Sequence, residues 1–189
     1  MIINDLKSFN KASQPQAQEW IRDEILESNV CHEWIQGILS QRPFTSPQDF
    51  LTTCQTVWRA LDETKRIEMM NGHAEIGYNE ATANPEGMEA AEQRGMASAS
   101  PALVAQIDRD KATYRERFGF IYMIFATGKS AAEMASDLQE RLKNTRQQEL
   151  AMATTEFWRI NQKRFMDKLA LEWYDKRQTT NVNDWLLVV

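Results

Sequence analysis

One of the two histidines in this chain stands in the short run Asn71-Gly72-His73-Ala74-Glu75-Ile76-Gly77, just past a helix stop. Imidazole takes and gives up a proton near neutral pH, and a loop between helices is where such a group reaches a cleft. Nineteen residues later comes the pair Glu92-Gln93. The segment around that pair reads as helix, close enough in sequence to fold back towards His73. An imidazole and a carboxylate facing one pocket form an acid–base pair. The plainer reading of His73 is a cap or a surface residue. His32, beside Trp34 near a helix start, reads as structural.

A second chemical signal lies in the last long helix. Leu150, Ala153, Phe157, Ile160 and Leu171 fall on one stripe at helical spacing, with Arg164 in its middle, and Trp158, Phe165, Leu169 and Trp173 form another. A guanidinium inside a buried arc needs an anion, because breaking a buried ion pair costs about 3–5 kcal/mol. That anion is either a protein carboxylate or a bound ligand, and Arg grips carboxylates through two parallel hydrogen bonds. The alternative is that Arg164 snorkels past Phe157 to solvent. Thr127-Gly128-Lys129-Ser130 has the end of a phosphate loop without its upstream glycine, and it is discarded. The methionines and aromatics read as core.

The elements that must position these groups read almost entirely as helix. Ala17, Trp20, Ile21 and Ile25 give a helix over residues 16–27, and Trp34, Ile38 and Leu39 another over 32–39. Ser46-Pro47-Gln48-Asp49 opens a helix to about Leu61 that buries Phe50, Leu51, Val57 and Leu61. A short helix over 63–70 ends at Asn71-Gly72, and residues 73–84 are loop. Asn84-Pro85 opens a helix carrying Glu89, Glu92, Gln93 and Met96 on one side, and a helix from Pro101 closes at Gly119. Phe120 to Ala126 reads as either a buried strand-like link or a helical turn. Capping boxes at Ser130 and Thr145 open a helix to about Leu142 and a long one to about Arg177. The expectation is an all-α chain: a single compact domain over residues 1–189 with eight or nine irregularly packed helices, and an apolar C-terminal tail over 178–189.

Composition removes other classes. A net charge of −5 argues against a nucleic-acid surface. Cys31 and Cys54 have no metal-ligand spacing, and Cys31 reads as reduced and buried. The first twenty residues carry no secretory pattern, and the longest apolar stretch is too short to span a bilayer, so the cytoplasm is the expected compartment.

Several of these residues, in order and spacing, resemble the 2-oxo-4-hydroxy-4-carboxy-5-ureidoimidazoline (OHCU) decarboxylases of urate breakdown. The likeness runs over most of the chain. It is carried by Trp34 with Arg42-Pro43-Phe44, by Gly72-His73-Ala74-Glu75-Ile76-Gly77, by Glu89-Ala90-Ala91-Glu92-Gln93 and by Tyr114-Arg115-Glu116-Arg117-Phe118-Gly119-Phe120. Gly128-Lys129-Ser130, Arg141-Leu142 with Asn144, Glu149-Leu150 and Arg164 follow. The resemblance implies an all-helical homodimer and a ureidoimidazoline substrate converted to (S)-allantoin. It implies His73 as the central catalytic residue with Glu92 as partner, and Gln93 and Arg164 holding the substrate. The backbone of Phe120, Ile121 and Tyr122 would line the pocket, and no metal or organic cofactor would be needed. Two positions depart from the family pattern: Ala74 replaces a proline, and Glu89 replaces a serine at the start of the Glu-Gln motif. Those departures keep two rivals open, a substrate-shifted acid–base enzyme and a non-catalytic helical binding protein.

Overall fold

The computed structural model describes residues 2–26, 31–76, 94–97 and 99–171. Capping side chains open most of its helices. Asp5 accepts from Ser8 N–H at 2.6 Å to start α1 (Leu6–Lys11), and Ser13 caps α2 (Gln14–Ile21), with Pro15 in its first turn. α2 runs straight into one π-helical turn, Arg22–Leu26. There follow α3 (His32–Leu39), α4 (Pro47–Ala60) and α5 (Glu63–Asn71), then a 3₁₀ turn at Arg94–Met96. α6 (Pro101–Phe118) is capped by Ser100 and closed by Gly119 in the left-handed region, at φ 84°. α7 (Ala131–Arg141) starts at the Ser130–Glu133 capping box, and α8 spans Arg146–Lys168. Among the described residues there is no strand, which is the all-α architecture expected.

Four local expectations need correction. The helix expected over 16–27 starts at Gln14 and widens into a π turn from Arg22, which still brings Ile25 and Leu26 inside. The buried stripe of α4 is Phe50, Cys54 and Trp58, whereas Leu51 and Val57 are only half-buried. His32, read as structural, is exposed, and Cys31 stands at the N-cap of α3 without a side-chain bond. The last helix ends at Lys168, not near Arg177. Leu171 N–H donates to Met166 O at 2.9 Å and Ala170 N–H to Asp167 O at 3.4 Å, while Ala170 takes φ 48°. These are the paired bonds of a Schellman stop built on alanine in place of glycine. The tail over 178–189 lies outside the described residues.

The chain groups into two compact units, one of residues 1–69 with 158–189, the other of residues 70–157. The first is built on aromatic packing. Phe9 meets Trp20 and Phe50 edge-on at 5.5 and 5.4 Å, and Phe165 meets Phe50 and Trp34 at 5.1 and 6.2 Å. Trp34 donates its indole N–H to Cys54 O at 2.9 Å, so its one polar atom is satisfied inside the core. Arg42 lies over the Phe9 ring and donates to Phe9 O and Ala12 O, two carbonyls at the end of α1 that the helix itself leaves unpaired. Trp34 and Arg42 therefore serve the core and a helix end. Both cysteines are free and buried.

The second unit packs α6 against α7 around a ring cluster. Tyr114 meets Phe118, Phe120 and Tyr122 edge-on at 4.7, 5.9 and 5.5 Å. Residues 120–126 are neither strand nor helix but an irregular link, buried at every position except the half-buried Phe125.

Candidate active site

An irregular link inside a protein has no ladder or helix to satisfy its peptide groups, so side chains must do it. Ile121 N–H donates to Asn71 Oδ1 at 3.0 Å, Met123 O accepts from Arg141 Nη1 at 2.7 Å, and Phe125 N–H donates to Glu156 Oε2 at 2.7 Å. Arg141 and Glu156 are themselves buried. The link is thus pinned by the last residue of α5, the end of α7 and the middle of α8.

Arg141 is held in turn by Glu149, which is wholly buried and accepts from Arg141 Nε at 2.8 Å and again from Nη2. Tyr114 OH donates to the same carboxylate, and Asn144 Nδ2 reaches its other oxygen at 2.8 Å. Burial alone would lower the Arg141 pKa, but Glu149 and the two tyrosine hydroxyls beside it drive it up, so the guanidinium stays charged. Tyr122 OH donates to Asp137 Oδ2 at 2.5 Å. Burial first, and nearby carboxylates after it, push the phenols of Tyr114 and Tyr122 above their ordinary range, so both stay protonated donors.

His73 follows α5 by two residues. Its N–H donates to Met70 O at 3.1 Å, closing a tight turn, and its ring meets Phe157 edge-on at 6.2 Å. The side chain is buried, with 8% of the residue exposed. Its Nδ1 lies 3.1 Å from Ala74 O. A carbonyl oxygen only accepts, so Nδ1 carries the proton and the lone pair of the neutral ring sits on Nε2. The next residues are tied to α6. Lys111 Nζ donates to Ile76 O at 2.6 Å, and Glu75 pairs with Arg115 at 2.9 Å.

His73 and the link Phe120, Ile121 and Tyr122 belong to one unit, joined through Asn71. Arg164 belongs to the other unit, where it is buried and donates from Nη1 to Ile25 O at 2.8 Å; it does not snorkel to solvent. Glu89, Glu92 and Gln93 lie outside the described residues. The chain returns directly after them at the 3₁₀ turn Arg94–Met96, where Gly95 lies so near Lys129 that a Cβ would fall 1.8 Å from Lys129 O.

Sequence reasoning passed over Asn71, Lys111 and Glu156. In the sequence Asn71 reads as part of a helix stop. Glu156 did leave a signal: Glu149, Ala153, Glu156 and Ile160 share one side of α8 at helical spacing, and carboxylates on a buried stripe need donors.

The model of the OHCU decarboxylase family matches residues 10–166. The uric acid degradation bifunctional protein TTL of Arabidopsis thaliana is 28% identical over 156 residues, covering 75% of this chain and 47% of that protein. The chain thus spans about half the length of that bifunctional relative. The 2-oxo-4-hydroxy-4-carboxy-5-ureidoimidazoline decarboxylase of Mus musculus is 25% identical over 144 residues, covering 75% of this chain and 81% of the mouse protein. In fold, the chain is similar to an OHCU decarboxylase crystallised in the presence of (S)-allantoin, with a TM-score of 0.66 and 23% identity over 81% of this chain and 98% of the other. It is also similar to an (S)-allantoin synthase, with a TM-score of 0.68 and 12% identity over 87% of this chain and 54% of the other.

Proposed function

This chain belongs to the OHCU decarboxylase family, carboxy-lyases of urate degradation, and from that premise we propose that it converts OHCU to (S)-allantoin with His73 moving the proton. The observation that carries this reading is the buried imidazole of His73, whose Nδ1 is committed to Ala74 O, which presents Nε2 as the basic atom. The substrate bears a carboxylate and a hydroxyl on one ring carbon beside an unsaturated C–N bond. As carbon dioxide leaves, its bonding pair forms a double bond to the neighbouring carbon, the π pair of the C–N bond moves onto the ring nitrogen, and that nitrogen takes a proton. The enol that remains loses its hydroxyl proton and gains one at the neighbouring carbon, so one proton is taken up overall. Nε2 accepting the first and returning a proton to one face of the carbon gives a single enantiomer. Positioned acid–base groups of this type contribute about 10²–10⁴-fold in rate.

Glu92 is the proposed carboxylate partner of His73. Gln93 and Arg164 are proposed to hold the substrate, with Glu89 and the backbone of Phe120, Ile121 and Tyr122 lining its pocket. The ring of the substrate is itself the electron sink, so the scheme draws on no metal or organic cofactor. We further propose that the chain works as one domain, as a homodimer in the cytoplasm, without nucleic-acid or membrane partners; no helix among the described residues is long and apolar enough to cross a membrane.

A second reading, a substrate-shifted or non-catalytic helical binding protein, is favoured by Ala74 and Glu89, because a carboxylate at 89 repels an anionic substrate. The test generates OHCU in place from urate and follows optically active allantoin by circular dichroism. Wild type accelerates its appearance over the spontaneous racemic decay, and His73→Ala removes that acceleration. Wild-type protein that leaves the racemic decay unchanged moves the reading to the binding protein.

A further inference from the structure

We propose that Lys111 is a positioning residue for His73, fastening residues 74–76 to α6 where no proline stiffens the chain. The proposal rests on the reading of His73 given above.

The first support is geometric. Residues 74–76 form an irregular stretch after α5, and a cleft of about 480 Å³, lined by Glu75, Asp108, Lys111, Ala112, Arg115 and Glu116, opens beside Glu75. The loop is open on the Glu75 side, whereas Ile76 beside it is buried. Lys111 reaches the loop from α6: its Nζ donates to Ile76 O at 2.6 Å, pairs with Asp108 on its own helix at 3.0 Å and lies 3.8 Å from Glu75. Arg115, one turn on, holds the same Glu75. Two rungs of α6 thus meet two consecutive residues of the loop.

The contacts are unequal. Arg115 is 56% exposed, and an ion pair that wet holds little. The Lys111 side chain is only 10% exposed, and its bond to a main-chain carbonyl is charge-assisted and directional. Lys111 is therefore the member that sets the position of Ile76, and Glu75 with Arg115 guides the approach.

The link to His73 is short. Ile76 is three residues from the imidazole, and Ala74 O, the acceptor for Nδ1, is in the peptide that leads into Glu75. A turn fixed on one side by the His73 N–H bond to Met70 O and on the other by Lys111 leaves the carbonyl of Ala74 one orientation. Released at Ile76, that peptide can rotate away and take with it the bond that keeps the basic lone pair on Nε2. Proline at 74 restrains the same stretch by a different route, fixing φ and narrowing the loop's conformers without any contact to α6. The lysine clamp and the proline of the family motif are alternative solutions to one constraint.

The test compares Lys111→Met, Lys111→Arg, and Lys111→Met combined with Ala74→Pro, each checked for wild-type far-UV circular dichroism. Lys111→Met lowers kcat about tenfold with KM within about twofold, the size expected when a catalytic group is displaced by a fraction of an ångström. It also speeds amide exchange at His73, Glu75 and Ile76. Lys111→Arg retains most of the rate, and Ala74→Pro restores both kcat and slow exchange to Lys111→Met. Glu75→Ala cuts both ion pairs from the loop side and gives a smaller loss, about threefold, which keeps the test open should Lys111→Met fail to fold. Folded Lys111→Met with wild-type kcat and exchange overturns the proposal, as does a loss of rate that proline leaves unrepaired. Exchange reads the clamp and His73→Ala reads the proton transfer, so the two ideas fail separately.

Discussion

Arg141→Met tests whether the buried ion pair holds the irregular link of residues 120–126. The side chain of Arg141 is 5% exposed and that of Glu149 is 0% exposed. Methionine keeps most of the stem and removes the charge. Glu149 then remains inside the protein with only the Tyr114 hydroxyl and the Asn144 amide as donors, and breaking such a pair costs about 3–5 kcal/mol. Met123 O also loses its donor, a further contribution of about 1–3 kcal/mol where water cannot replace it. The two donors left on Glu149 offset part of this, so a net loss of about 4 kcal/mol is expected. For a chain of this size that lowers the thermal midpoint by roughly 8–16 °C. Urea unfolding at neutral pH measures the loss, and Glu149→Gln with the double variant completes a double-mutant cycle. Coupling of about 2 kcal/mol is expected for groups in direct contact. A loss below about 1 kcal/mol for Arg141→Met, or coupling near zero, would refute the account of Arg141 and Glu149 as the support of the link.

Three further outcomes follow from particular residues. Ala170→Gly relieves a left-handed alanine at the stop of α8 and raises stability by about 0.5–1 kcal/mol in the same urea assay, the αL penalty less the extra freedom glycine has when unfolded. Gly95→Ala sets a Cβ 1.8 Å from Lys129 O, a main-chain atom that cannot swing aside, so the turn after Gln93 must shift; a loss of about 1–3 kcal/mol and faster proteolysis near residue 95 are expected. The phenols of Tyr114 and Tyr122 have pKa values raised above the unfolded value, so the folded state binds the proton more tightly. Their contribution to stability is complete below about pH 10 and is lost as pH rises beyond it. Absorbance at 295 nm should show the tyrosinate signal of these two residues appearing only with alkaline unfolding. Tyr114→Phe and Tyr122→Phe should each remove part of that late amplitude, and a normal early titration would contradict the buried hydrogen bonds.

Local rules account for the helices because their starts and most of their stops are written in a few adjacent residues. Ser46-Pro47, Ser130 with Glu133, and Gly119 each act within one helical turn. Arg164 announced its burial because a single cation interrupted an apolar stripe. The stop after Lys168 was not legible: Ala170 takes a conformation its side chain disfavours, and nothing in the residue type signals that. The ambiguity of residues 120–126 was inherent as well, because a short apolar run fits either period.

By itself the sequence determined an all-helical chain, the family to which it belongs, and the histidine on which its chemistry is proposed to turn. Tertiary structure decided what the neighbouring residues are for. Tyr114, Arg141 and Asn144, read in sequence only as part of an ordered pattern, close around the buried carboxylate of Glu149, and Arg42 serves the carbonyls at the end of α1. Asn71, Arg141 and Glu156 stand apart in the chain, yet they satisfy three peptide groups of one irregular link. The reason is physical. Helix formation is governed by bonds a few residues apart, whereas a buried peptide group or charge takes its partner from whatever the fold brings within 3 Å or so, and sequence spacing carries no record of that distance.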